Sequence, residues 1–517
     1  MESAKRVIKN TGFLYGKMLV TIALALFSTR LILNALGAVD YGIFNLIGGV
    51  IAMLSFINGA MVIATQRYLS IALGSGDMNK LKSVFSSSVV LHLIISLIIV
   101  SLLELGGLFL FKGTLNIPSE RIGTAKIIFQ FMIISTFFTI NAVPYDASIN
   151  SHENMLVDSL LGIFESGVKL GIAILLVYTA SEKLVLYGLL IASLTVLIRI
   201  IKSIYCHTKY EECRISVRSH LKPRLLKEML SFAGWNVFGL SCSVLKNQGL
   251  AVLLNLSFGI VVNAAYGIAN QVNSNLRQFS TNMIKAITPQ ITKSEGSGDR
   301  ERMLRLSILA SKISFFLLAF FAVPIIIEMP FILKIWLKTV PENSVIFCQL
   351  ILVLSMLYQV TIGTMTSVTS VGDIRSFQLA VGALEIFNLP VAYLLIKAGL
   401  PSYSVFIGAI VLEIVAGGIR TWFAHKIAGL DLKDFILKTW TYSIFTAFIA
   451  SLAGLAWHLV IHPGITRALL VGTTTTIMLL VTGRILVLTG EEYARIREII
   501  TSVYYRFRKR PVLVGNV

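Results

Sequence analysis

At 517 residues, 56% of them hydrophobic and only 14% charged, with a mean hydropathy of +0.81, the chain is too apolar for a water-soluble enzyme. Soluble domains carry roughly a quarter charged residues. A helix that crosses a bilayer needs about 20 mostly apolar residues, and a reading at that scale yields about fourteen such segments. They leave no free stretch of about 100 residues for a soluble catalytic domain. The net charge of +19 does not imply nucleic acid. With the N-terminus inside, roughly 30 basic residues fall on cytoplasmic segments and about 8 on the opposite loops, so both termini are expected in the cytoplasm.

The expected spans are approximately 12–36, 41–64, 84–111, 124–144, 157–179, 184–204, 231–256, 260–286, 304–328, 344–368, 376–397, 402–424, 437–460 and 465–488. The first follows a basic N-terminus and has no small-residue cleavage site, so it reads as a retained span rather than a signal peptide. Within it, Lys17, Thr21 and Ser28 share one helical face and Arg30 lies on another. Gly12 and Gly16 have a spacing that permits close helix packing. The second span opens with Tyr41-Gly42-Ile43-Phe44-Asn45 and is followed by Gly74-Ser75-Gly76-Asp77. His92 and Glu104 lie in the third span; the histidine is expected to bond between helices. Glu165 and Lys169 in the fifth form an i,i+4 pair that can neutralise itself.

After the sixth span comes a basic, Pro223-broken loop, 205–229. It contains Cys206 and Cys213, whose spacing matches no zinc module; no metal site is expected. In the seventh span Asn236, Ser243 and Asn247 recur on one face beside Lys246. The eighth is the most polar, with Asn263, Asn270, Ser274, Arg277 and Thr281 on one face flanked by Asn273 and Gln278. A lipid-facing helix could not carry that stripe. Glu385 and Glu413 are single acids in the eleventh and twelfth spans, able to pair with an intramembrane base or to take a coupling ion. Arg199, Lys285, Lys312 and Arg484, nearer span ends, are expected to reach the headgroups. Pro324 and Pro390 interrupt the ninth and eleventh spans. The last two spans have no counterpart in the first half, and the chain ends in a basic tail with Arg506, Arg508, Lys509 and Arg510.

An internal repeat organises these segments. Tyr266-Gly267-Ile268-Ala269-Asn270 echoes the start of the second span, Gly296-Ser297-Gly298-Asp299 echoes the turn after it, and Gly234 and Gly259 match Gly12 and Gly37. Both halves start on the same side, so the repeats are parallel, a layout typical of transporters that handle substrate between their halves. The expected fold is all-α and polytopic: a first lobe 1–204, a cytoplasmic linker 205–229, a second lobe 230–427, and an appendage with its tail, 428–517. There is no phosphate loop, no HExxH, no GxSxG and no dinucleotide fingerprint, and hence no expected catalytic residue or cofactor. The opposite-side loops, the longest around 112–121 and 334–342, are too short to carry the chemistry of a membrane-embedded glycan polymerase.

Arg30-Leu31-Ile32-Leu33-Asn34-Ala35-Leu36-Gly37 running into Asp40-Tyr41-Gly42-Ile43-Phe44-Asn45, together with the stretch Arg67 to Asp77, resembles the MATE-like superfamily of flippases. Within it the likeness is to the Wzx-type polysaccharide exporters and extends over the whole chain. The resemblance implies two six-helix lobes, with a MATE-like fold, rocking about a central cavity in the bacterial inner membrane. The cargo it implies is an undecaprenyl-pyrophosphate-linked oligosaccharide. A polysaccharide polymerase and a chain-length regulator are the implied partners beside the bilayer, and a proton or sodium ion is the candidate coupling ion. On this reading Lys17, Arg30, Lys246 and Arg277 meet the pyrophosphate or acidic sugars, and Asn236, Asn270 and Gln278 the sugar hydroxyls. Glu165, Lys169, Glu385 and Glu413 are left for ion coupling or pairing. The alternative is an ion-coupled multidrug antiporter on the same fold, for which an acidic cavity is expected.

Overall fold

The computed structural model describes residues 2–52, 55–111, 117–179, 182–214, 221–337, 339–490 and 492–494. The basic tail, part of the central loop and part of the loop around 112–121 lie outside the described residues. Every regular element among the described residues is helical. In chain order, α1 is Arg6–Gly37, α2 is 38–52 with Ser55–Ser75, α3 Met78–Phe109, α4 Ser119–Ser151, α5 Met155–Tyr178 and α6 Lys183–Lys209. Then α7 is Pro223–Phe258, α8 Ile260–Gly296, α9 Arg300–Ile327, α10 Ser344–Val360 with Ile362–Val371, α11 Arg375–Lys397 and α12 Ser404–Ala428. The appendage is α13, Leu432–Leu459, and α14, Ile465–Val487.

Eleven of these are long and apolar enough to cross a membrane, and twelve if the bent pair of α10 is one span. The two remaining, α2 and α8, are long enough but carry the polar residues, so the helices are consistent with fourteen spans. Long exposed apolar faces, such as Leu97, Ile98, Leu102 and Leu105 on α3, suit a hydrocarbon surround rather than water. This is a multi-pass membrane protein.

The repeat is visible in backbone geometry. The turn from α1 to α2 is made at Gly37 (φ 77, ψ 168), and the turn from α7 to α8 at Gly259 (φ 83, ψ −176). Both need a positive φ that only glycine adopts freely. The helices then end at Gly76 (φ 70) and Gly298 (φ 79). Asp77 and Asp299 cap the next helices by accepting from the amides of Lys80 (2.9 Å) and Arg302 (3.0 Å). Gly12/Gly234, Gly37/Gly259, Gly74/Gly296, Gly76/Gly298 and Asp77/Asp299 are all the same number of residues apart. Tyr41-Gly42 and Tyr266-Gly267 fall outside that register, so that match is not part of the structural repeat. The fourth helix of each lobe is interrupted, at Ala142 and at Thr361, the second with a bend of 42°.

The two lobes share one apolar core at the end that holds both GSGD turns, called the basic end below. There Met61, Leu69 and Phe85 of the first lobe cluster with Met229, Phe232 and Phe377 of the second. The appendage packs on α9. Glu328, 1% exposed, accepts two bonds from Arg467 (2.8 and 2.9 Å) and lies 3.1 Å from His458.

Candidate functional site

The seam between the lobes is built mainly by α1, α2, α7 and α8, and it is tightest at the basic end. Gly74 of α2 lies against the backbone of Lys293, and Gly296 of α8 against the backbone of Ile71; a Cβ at either would strike main chain. Arg67 of α2 donates to three carbonyls at the end of α10: Thr369 (2.7 Å), Ser370 (3.2 Å) and Val371 (2.8 Å). These are acceptors that a helix C-terminus leaves without intrahelical partners. Glu153 binds Lys293 (2.7 Å) and Gln290 (2.9 Å) of the other lobe. Nearer mid-depth, the Tyr15 hydroxyl donates to the carbonyl of Phe279 (3.0 Å) and the Asn282 amide to Met18 Sδ (3.4 Å).

Charged side chains converge just inside this seal. Asp158, near the start of α5, lies 3.1 Å from Lys17 of α1, 3.0 Å from Lys285 of α8 and 3.7 Å from Lys202 of α6. One carboxylate thus meets three ammonium groups, one of them from the opposite lobe. Lys202 also pairs with Asp146 (2.6 Å), which Arg199 approaches at 3.5 Å.

A second constellation fills the interior of the second lobe. Lys246 pairs with Glu385, and the fully buried Arg420 pairs with Glu413, with Glu385 a further 3.9 Å away. The Tyr358 ring lies between two guanidinium groups, 5.0 Å from that of Arg277 and 4.8 Å from that of Arg420. Among the described residues no carboxylate lies within ion-pair distance of Arg277. That leaves Arg277 a half-buried cation stabilised by a ring face alone.

The residues singled out from sequence divide accordingly. Lys17, Lys246, Glu385 and Glu413 all sit in these two networks, so the two lysines are paired rather than free. Glu165 and Lys169 pair with each other at 2.7 Å on α5. Asn236 is buried and does not face the seam: its amide donates to the Phe232 carbonyl (2.8 Å) and its oxygen accepts from Gln378 (3.3 Å), tying α7 to α11. Arg30 is exposed on α1, about 20 Å along the helix from Lys17 at 1.5 Å per residue, and does not join Lys17. Asn270 is half-buried, and Gln278 is exposed and donates to Asn282 (3.3 Å). The exposed stripe of α8 is Gln271, Ser274, Asn275, Gln278 and Thr281. That shifts the wet face by part of a turn from the one read in the sequence.

Three of the four cations expected to reach headgroups have acidic partners instead: Arg199 with Asp146, Lys285 with Asp158, and Lys312 with Glu492 (2.9 Å). Arg484 lies over Tyr493, 3.8 Å from the ring centre. Glu104 accepts from Gln130 (3.1 Å). His92 is held by its own helix, Nδ1 lying 2.6 Å from the Ser88 carbonyl, and the Ser88 hydroxyl beside it pairs with Thr65 of α2 (3.1 Å). No group of three metal-ligating side chains occurs among the described residues. Sequence reading missed Asp158, Arg67, Tyr358 and Arg420. Only Arg420 left a signal there, a base two turns along the same face from Glu413 inside the same span.

No protein-family model and no curated protein matches the chain. Solved structures do. A point mutant of MATE superposes with a TM-score of 0.72 at 16% identity, covering 84% of this chain and 97% of the other. An outward-facing multidrug resistance MATE family transporter of the MOP superfamily gives 0.70 at 16%, covering 83% and 97%. A MOP superfamily transporter from Pyrococcus furiosus Vc1 (DSM3638), whose binding pocket is described as reversed in polarity so as to suggest a different function, gives 0.67 at 15%, covering 83% and 97%. The fold is that of the MATE transporters. Its lobes in this chain are closed at the basic end, and the exposed amide stripe of α8 begins at the depth where those seam contacts thin out.

Proposed function

We propose that the protein is a transporter, not an enzyme, that moves a polyprenyl-pyrophosphate-linked oligosaccharide across a bacterial inner membrane by alternating access between its lobes. On this reading the basic end faces the cytoplasm, in keeping with the distribution of Lys and Arg, and the state described here is closed to that side. The observation that carries the proposal is Arg277: a guanidinium midway along α8, at mid-membrane on this reading, with no carboxylate partner among the described residues and beside the exposed amides of the same helix. A cation at that depth costs about 2.5–3.5 kcal/mol on insertion scales, and an anionic substrate supplies the missing counter-charge. Guanidinium is well suited to phosphate because its planar fork donates two parallel bonds. A lipophilic cation, the cargo of a drug antiporter, would be repelled there. Lys17 and Lys285, which share Asp158, extend the positive region toward the basic end.

Complementation of a flippase-deficient strain tests the proposal. Arg277→Ala is expected to insert normally and to abolish surface glycan, Arg277→Lys to restore part of it. Full complementation by Arg277→Ala, or resistance to lipophilic cations that tracks expression of the chain, overturns it.

A further inference from the structure

The first lobe holds a pocket that neither charge network touches. It has a volume of about 300 Å³ and lies among α2, α3, α4 and α6. That is the lower end of the range for small-molecule sites, enough for one ring and not for several. Its wall is apolar along Phe44, Ile51, Ile99 and Met132, and no ionisable side chain lines it. Of its four hydroxyls, three are committed as acceptors. Ser135, Thr136 and Thr195 each donate their hydroxyl proton to a carbonyl one turn back on their own helix, at 2.9, 2.8 and 2.9 Å. A hydroxyl that has given its proton keeps only lone pairs, so toward the pocket these groups can only accept. Asn58 also lines the space, and its Oδ1 is buried without a hydrogen-bond partner. Such an acceptor is unfavourable while it stays unpaired, and rotation toward a donor in the pocket removes that cost.

From this we infer that the pocket is a subsite for a neutral ring that bears hydroxyl or amide N–H donors on one edge and an apolar face on the other: a single sugar residue. An anion finds no cation there, only the neutral Asn58 amide and Thr139 hydroxyl, a cation finds no counter-charge, and a hydrocarbon tail leaves Asn58 unpaired. Depth fits as well. In the register set by the paired glycines, Arg277 of α8 corresponds to Ser55 of α2. Of the lining residues, Asn58 therefore lies about one turn to the basic side of the level of Arg277, and Phe44, Gly48 and Ile51 lie on the side away from the basic end. A diphosphate at Arg277 and its first sugar in this pocket would occupy neighbouring depths of the protein. The inference rests on the function proposed above and names the part of the substrate that this site reads.

The test measures binding to the purified full chain in nanodiscs with two probes: undecaprenyl pyrophosphate, and the same lipid carrying one N-acetylhexosamine. Gly48 lines the pocket, and a Cβ built there meets only Met132 Cε at 3.7 Å, so Gly48→Leu fills the space without striking backbone. The wild type is expected to bind the sugar-bearing lipid about tenfold tighter than the bare one, the worth of one or two neutral hydrogen bonds. Gly48→Leu should erase that preference and leave the bare lipid's affinity unchanged. Thr136→Val, which keeps shape and removes an acceptor, should erase part of it. If Gly48→Leu and Thr136→Val both leave the preference intact, or if Gly48→Leu weakens the bare lipid equally, the pocket is not a sugar subsite while the flippase reading stands. If the wild type binds neither lipid, both proposals fall.

Discussion

Glu165 in α5 and Glu385 in α11 occupy the same place counted from the start of their helices, Met155 and Arg375, yet they do different things. Glu165 turns along its own helix to Lys169 and stays partly exposed. Glu385 turns across its lobe to Lys246 and stands near Arg420, which Glu413 also holds. One ancestral topology has thus diverged inside. The second lobe is wired through its centre by buried charge, whereas the first keeps its ion pairs near its two ends and along α5 and leaves an uncharged chamber among its other helices. The comparison teaches that the repeat conserves backbone turns and not interior chemistry, and that each lobe presents a different kind of surface to a substrate between them.

Breaking the buried wiring should have the largest effect. Glu413→Ala leaves Arg420, which has no exposed surface, without its main partner. Removing one member of a buried pair typically costs about 3–5 kcal/mol, so loss of folded protein in a detergent thermal-shift assay is the expected outcome. Glu385→Gln removes one charge from a shared site and leaves Lys246 able to bond the amide. A loss of about 1–3 kcal/mol is expected. The mirror-image change, Glu165→Gln, breaks a self-contained i,i+4 pair whose two side chains are partly exposed, and less than about 0.5 kcal/mol is expected. Equal effects of Glu385→Gln and Glu165→Gln would erase the asymmetry between the lobes. Gly74→Val should leave each lobe intact while holding them apart at the basic end, because its Cβ meets the Lys293 backbone. The readout is greater thiol labelling of a cysteine placed at Lys293, against the same cysteine in a Gly74 background.

Much of the fold was legible from the sequence because it rests on features that a single residue announces. Apolar runs long enough to span, glycines where φ must be positive, and aspartates that cap the next helix gave the spans, the parallel repeat and the separate C-terminal pair. Which polar residues meet was less legible. Asn236 looked like part of a wet stripe, but its amide serves α11, since helical periodicity gives a face and not the neighbour opposite it. The pairing of Lys17 with Asp158 depends on how α1 packs on α5, and that of Lys285 on how the lobes close. Neither is a local property. Arg277 stood out in the sequence as a charge within an amide-rich span; of the four expected anion contacts, it and the exposed Arg30 have no acidic partner among the described residues, and of these two only Arg277 is half-buried beside the exposed amides of α8.

Gly74 and Gly296 occupy equivalent positions of the repeat, and each lies against the backbone of the other's helix. A contact in which one surface meets its own duplicate is the hallmark of a two-fold dimer. A chain with only the first six spans would already possess the flat glycine surface needed to associate with a second copy of itself. Fusion of two such genes would then have preserved a joint that predates the linker between them, leaving each lobe's interior free to specialise afterwards.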